Sequence, residues 1–275
     1  MGRLTRAKRL VGTLSRVLPL RFSDRRSLED AQTLTEKFES LTVLERDKYF
    51  RNLEPDQQKY LQRTIWGVKR QDCYDSLECF AKYVRTRDEH ASGAASVRPF
   101  PTRLEKPYLW EFLDACQEEP LLAVEKSRQI MVTWGACLYL LWRAKYTENR
   151  LIFLQSKKEE DAANLVYNKE PFGARIAFME YSLPDPLRTV DFNRNCSYGQ
   201  MVFPDTHSKL WGVPEGGDII RSYVASIVFA DEAAFQPEFE AAYKALRPTI
   251  SGGGQLIMVS TARSGAFMKR LIAKI

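Results

Sequence analysis

The stretch from Leu121 to Tyr146, LLAVEKSRQIMVTWGACLYLLWRAKY, constrains the fold more than any other, because an apolar run, a polar loop and a helical pattern follow one another without a break. Leu121, Leu122, Ala123 and Val124 form a continuous apolar run of strand length, which predicts a buried, central strand. Trp134, Cys137, Leu138, Leu141 and Trp142 recur at the spacing of one helical face, and Thr133 opens that helix. A loop that leaves a strand for a helix N-terminus aims backbone N–H groups and the positive end of the helix dipole at one point, which suits a phosphate. Lys126 adds a point charge there and Thr133 a hydroxyl for Mg2+. The usual phosphate-loop pattern, G-x-x-x-x-G-K-[ST], is not met. Aligned on Thr133, Val132 stands at the lysine position and Met131 at the second glycine, so Lys126 is the only lysine in the loop. Taken alone, the stretch is also compatible with an ordinary strand, turn and helix whose Lys126 and Arg128 are solvated.

A chain of 275 residues that is 44% hydrophobic and 28% charged can bury one large core or two modest ones. Its longest apolar run, residues 136–142, is too short to cross a bilayer as a helix, so no membrane association is expected. The five cysteines are odd in number and lack C-x-x-C spacing, and only His90 and His207 accompany them. Neither a disulfide framework nor a zinc site is indicated, and a reducing compartment fits best. The net charge of +6 is unevenly placed: residues 1–26 hold eight basic side chains against Asp24, a net of +7, leaving the rest of the chain at −1. Leu4, Ala7, Val11, Leu14 and Leu18 share one helical face, so residues 1–26 read as a basic amphipathic arm. Three uses of it stay open: contact with nucleic acid, docking to a partner protein, and an organellar transit peptide.

Residues 27–86 are polar with apolar residues at helical intervals, and Pro55 is placed to begin a helix if Glu54 lies just outside it. DEHASGAASVRPFPT, residues 88–102, reads as a linker or exposed loop, which divides a helical region, 27–95, from a core, 96–275. In the core, helices are expected near 107–117, to Tyr146, and from Lys157 to about Tyr181 with a break near Pro171 and Gly173. Strands are expected at 121–124, 151–155, 200–203, 209–213, 226–230 and 255–259. This alternation predicts an α/β fold, a mostly parallel central sheet flanked by helices.

Two further motifs end apolar strands. In SIVFADEAAF, Ile227 to Ala230 deliver Asp231 and Glu232 to the strand's C-terminal end, the ligand-binding edge of an open α/β sheet. Burying unpaired carboxylates is costly, so packing alone does not place them there. Asp231 suits Mg2+ and Glu232 suits a base that activates water, although acidic residues also favour helix starts. In QLIMVSTARSG, Ser260 and Thr261 follow a strand; small hydroxyl residues also serve as turn formers. A strand with a phosphate loop, then about a hundred residues later a strand with Asp-Glu, then about thirty later a strand with Ser-Thr-Ala, is the order of additional-strand P-loop NTPases.

With these motifs in place, the chain resembles the ATPase domain of tailed-phage large terminase subunits, the DNA-packaging motors. KSRQIMVT is similar to their variant phosphate loop, IVFADE to their Walker B strand and MVSTA to their coupling motif. GVPEGGDIIRS, residues 212–222, resembles the Gly- and Arg-containing segment before Walker B, and RPFPTRLEKPYLWEFLD, residues 98–114, the adenine-binding segment. The resemblance implies ATP and Mg2+ as cofactors. It implies phosphate contacts from Lys126, Ser127, Arg128, Gln129 and Thr133, and Mg2+ held by Thr133 and Asp231. Catalysis falls to Glu232 with Arg128 in cis or Arg221 from a neighbouring subunit, coupling to Ser260 and Thr261, and adenine stacking to Tyr108 or Trp110. Double-stranded DNA, a homo-oligomeric ring, a portal, a small terminase subunit and the host cell cytoplasm are implied as partners and setting. The motor domain is expected without its nuclease domain, since the chain stops soon after MVSTA and 267–275 reads as a helix cut short.

Two other functions fit parts of the pattern. A helicase-like or repair ATPase would carry further arginine motifs in a second α/β domain, for which nothing after Ala262 leaves room. A non-hydrolysing nucleotide-binding assembly module would suit the glycine-free loop but has no use for Glu232 as a base.

Overall fold

The computed structural model describes residue 22 and residues 25–88, 91–216 and 218–273, in two compact units. Nearly all of the basic arm lies outside the described residues. One unit runs to Phe80 and includes Leu183–Arg188. Its helices are α1 (Arg25–Ser40), α2 (Val43–Arg51), α3 (Pro55–Asp75) and the start of α4 (Leu77–Ala81). Pro55 occupies the first position of α3, where its missing N–H costs nothing, and the Glu54 N–H donates to Gln57 Oε1 at 3.1 Å. α3 packs on α1 through buried Leu61, Ile65 and Val68, and Lys69 reaches Glu39 at 2.8 Å.

The second unit, Ala81–Ser182 with Thr189–Ile275, holds the sheets. It begins with β1 (Arg85–Arg87) and β2 (Val97–Pro99), an antiparallel pair. Residues 88–102 are therefore largely structured and belong to this unit, which divides from the other after Phe80. The run of Gly, Ser, Ala and Pro marks the turn of a hairpin, and buried Phe100, whose N–H donates to Val84 O, anchors its return. Then follow α5 (Pro107–Glu118), β3 (Leu121–Lys126), α6 (Val132–Tyr146), β4 (Leu151–Ser156), α7 (Glu159–Val166), α8 (Arg175–Ser182) and α9 (Phe192–Asn195). The chain continues through β5 (Cys196–Ser197), β6 (Gln200–Phe203), β7 (Ser208–Pro214), α10 (Asp218–Arg221), β8 (Ile227–Asp231), α11 (Phe239–Ser251), β9 (Gln255–Thr261) and α12 (Phe267–Ile272).

Strands β3 to β9 form one sheet of order β3-β9-β8-β4-β7-β6-β5, in which β3, β9, β8, β4 and β7 are parallel, β6 pairs antiparallel with β7 and β5 antiparallel with β6. The expected mostly parallel sheet is present, and β9 is the additional strand, inserted between β3 and β8. The order corrects one expectation: β3 is an edge strand, and Leu121 to Val124 are only half-buried. An apolar run reports what covers a strand's two faces, not how many neighbours pair with its rims. The cover is thinner here than over β8, where Ile227 to Ala230 are all buried.

Helix α6 also differs from its pattern. Leu138, Leu140, Leu141 and Ala144 are fully buried together with Ala136 and Cys137, so the helix is apolar around most of its circumference and not along one stripe. It approaches α5 so closely that a Cβ on Gly135 would lie 2.7 Å from Leu109 Cδ1. The helix expected over 157–181 is two helices, α7 and α8, separated at Pro171 and Gly173 as the breakers require.

Candidate functional site

Three adjacent strands, β3, β9 and β8, end together. Pairing of Lys126 with Thr261 and of Asp231 with Val259 sets the tips of β3 and β8 on either side of Ser260 and Thr261. A cavity of about 770 Å³ opens over them, lined by Lys126, Gln129, Met131, Thr133, Asp231 and Glu232 among others.

The loop between β3 and α6 works without glycine by placing two other residues in the left-handed region, Gln129 at φ 61° and Met131 at φ 62°. Met131 stands at the position of the second glycine in the common pattern, so the backbone conformation is kept while the residue type is not. Each such residue costs about 1–3 kcal/mol, strain of the kind that accumulates at functional sites. Met131 also caps α6, its carbonyl accepting the Gly135 N–H at 2.9 Å.

Glu232 lies just past β8 with φ 48° and is held by four donors. Lys126 Nζ donates to Oε1 at 2.7 Å and Thr261 Oγ1 at 3.2 Å; the Thr261 N–H donates to Oε2 at 3.0 Å and Ser260 Oγ at 3.2 Å. Burial pushes this carboxyl up, but Lys126 and the Thr261 and Ser260 hydrogen bonds prevail and hold it below the usual glutamate range. Asp231 behaves oppositely. Burial raises it, and the opposing charges of Arg175 and Lys126 and the hydrogen bond from Thr133 Oγ1, at 3.2 Å, do not fully offset that. The two neighbouring carboxylates thus separate, Glu232 held low by its donors and Asp231 half-buried beside a hydroxyl. A carboxylate with a Thr hydroxyl is the hard-oxygen donor set that suits Mg2+, which keeps several waters and takes few protein ligands.

The remaining expected residues divide. Gln129 lines the cavity, whereas Ser127 and Arg128 are exposed in the loop and do not. Neither adenine candidate lines it. Tyr108 is 41% exposed, with Lys106 over its ring. Trp110 is only 2% exposed, its indole N–H satisfied by Pro101 O at 3.0 Å and its ring packed by Phe100, so it has no face to offer a base. At Trp110 the aromatic signal reflects packing. Arg221 ends α10, but its side chain lies outside the described residues. Sequence reasoning missed Arg175 and Trp134 and the hairpin residues Thr86 and Arg87, all on the cavity wall, which Arg98, the first residue of the expected adenine-binding segment, also lines. Only the helix break before Arg175 hinted that an arginine there starts a new helix.

No family model matches the chain, and no curated protein matches it. Among solved structures, the HK97 bacteriophage large terminase aligns with 73% of this chain and 40% of its own length, at a TM-score of 0.53 and 12% identity. The chain shares its fold with that terminase. The ATPase domain of the Thermus phage P74-26 large terminase aligns with 58% of this chain and 67% of its own, at a TM-score of 0.45 and 15% identity.

Proposed function

We propose that this chain is the ATPase motor domain of a viral DNA-packaging terminase, coupling Mg-ATP hydrolysis to movement of double-stranded DNA into a procapsid. The observation that carries the reading is the convergence of Lys126, Thr133, Asp231 and Glu232 on one cavity at the ends of β3 and β8. Lys126 and the backbone of 127–131 hold the β- and γ-phosphates, and Gln129 faces them. Thr133 and Asp231 would hold Mg2+, which would neutralise phosphate charge there. Glu232, ionised and half-exposed, takes the proton of the attacking water. Ser260 and Thr261 touch that same carboxylate and pass its state to β9, the coupling role. Arg128 in cis or Arg221 from a neighbouring subunit of a ring stabilises charge on the transferring group. A portal, a small terminase subunit and the host cytoplasm complete the setting.

Purified chain should bind Mg-ATP and hydrolyse it faster with double-stranded DNA; Lys126→Ala should lose nucleotide binding at unchanged Tm. Turnover indifferent to double-stranded DNA would leave an ATPase and overturn the motor. Wild-type affinity in the Lys126→Ala chain would overturn the nucleotide site itself.

A further inference from the structure

Arg175 is the first residue of α8 and lines the cavity that holds Lys126, Thr133, Asp231 and Glu232. Its guanidinium carbon lies 5.7 Å from the centroid of the Trp134 ring, and Trp134 directly follows Thr133 at the start of α6. This cation–π contact seats the planar guanidinium beside the phosphate loop. Arg128, by contrast, is exposed and off the cavity wall. A nucleoside triphosphate with Mg2+ brings more negative charge to Asp231 and Glu232 than Lys126 and one divalent cation neutralise, and the γ-phosphate is where the excess accumulates.

Resting on the nucleotide reading above, we propose that Arg175 is a phosphate-binding residue of this site, donating in cis to the terminal phosphate and so discriminating nucleoside triphosphate from diphosphate. An arginine fork suits this role because it donates two parallel hydrogen bonds to phosphate oxygens.

The test is calorimetric titration of the purified chain with Mg-ADP and with the non-hydrolysable imido analogue of Mg-ATP, for wild type, Arg175→Ala, Arg175→Lys and Lys126→Ala. Arg175→Ala should weaken the analogue by about tenfold or more, as loss of a charge-assisted hydrogen bond implies, and leave Mg-ADP within about twofold. Arg175→Lys, which keeps charge and stem, should recover part of the difference and control for the fold. Equal weakening of both nucleotides in the Arg175 variants, with Tm unchanged, would make Arg175 a support for Trp134 and Asp231 and overturn the proposal. So would no weakening of either. Lys126→Ala separates the two levels: wild-type binding there, or no binding by wild type, refutes the nucleotide site and the Arg175 role with it.

Discussion

Glu232→Gln is the most informative substitution, because the structure predicts opposite effects on binding and on turnover. The carboxylate accepts from Lys126 and the Thr261 hydroxyl on one oxygen, and from the Thr261 N–H and Ser260 on the other. Glutamine keeps one acceptor and turns the other into a donor. Its NH2 cannot face the Thr261 backbone N–H, which is fixed in β9, so it must face Lys126, whose side chain can move. Lys126 is then released. In wild type an incoming phosphate competes with Glu232 for that ammonium across a pair that is 9% exposed on the lysine side and 37% on the glutamate side. With the carboxylate 37% exposed, the pair is worth about 0.4–1 kcal/mol after solvent screening, so its loss should tighten triphosphate binding about twofold to fivefold. Turnover should fall about 10²–10⁴-fold with the base removed. Binding of a fluorescent ATP analogue and steady-state phosphate release measure the two quantities on one preparation. Turnover within about tenfold of wild type would reassign the base. Loss of nucleotide binding would mean that Glu232 holds the ligand and does not activate water.

Two further substitutions probe the same unit. Asp231 has a raised pKa in the fold, so the folded chain retains a proton that the unfolded chain releases, and stability drops as pH rises above about 3.9. Asp231→Asn removes that loss and should raise Tm at pH 7 in EDTA, with the gain vanishing near pH 4; a lower Tm at pH 7 would sink the assignment of burial as the dominant cause. Lys145 and Glu180 form a buried pair at 2.9 Å, 2% and 0% exposed, and Glu180 also accepts the Thr189 N–H at 2.8 Å. Lys145→Met strands that carboxylate and should cost about 3–5 kcal/mol in urea unfolding; a cost under about 1 kcal/mol would show the site relaxes.

What the sequence disclosed follows from which forces are local. Ile227 to Ala230 are buried on both faces, and Asp231 with Glu232 at their end could not be explained by packing, so the strand and the carboxylates at its tip were legible together. Strain was not. Gln129 and Met131 adopt left-handed backbone that residue type argues against, and only the loop's closure onto α6 enforces it. Trp110 and Tyr108 carry the same aromatic signal whether a ring packs or stacks on a base, and Phe100, distant by ten residues, decides for packing at Trp110.

Strand order is the deepest of the hidden variables. Lys126 and Glu232 are 106 residues apart, and local patterns allow the last strand to join the sheet outside β3 or between β8 and β3. The sequence spacing alone does not choose. Had β9 paired outside β3, Lys126 and Glu232 would stand one strand closer, but Ser260 and Thr261 would lie on the far side of Lys126 from the carboxylate. Inserted as it is, β9 pairs with both neighbours over their whole length and puts the Thr261 N–H 3.0 Å from Glu232 Oε2. The carboxylate that faces Lys126 is therefore anchored by the strand between them, and any ligand that withdraws Lys126 alters the load on β9 first.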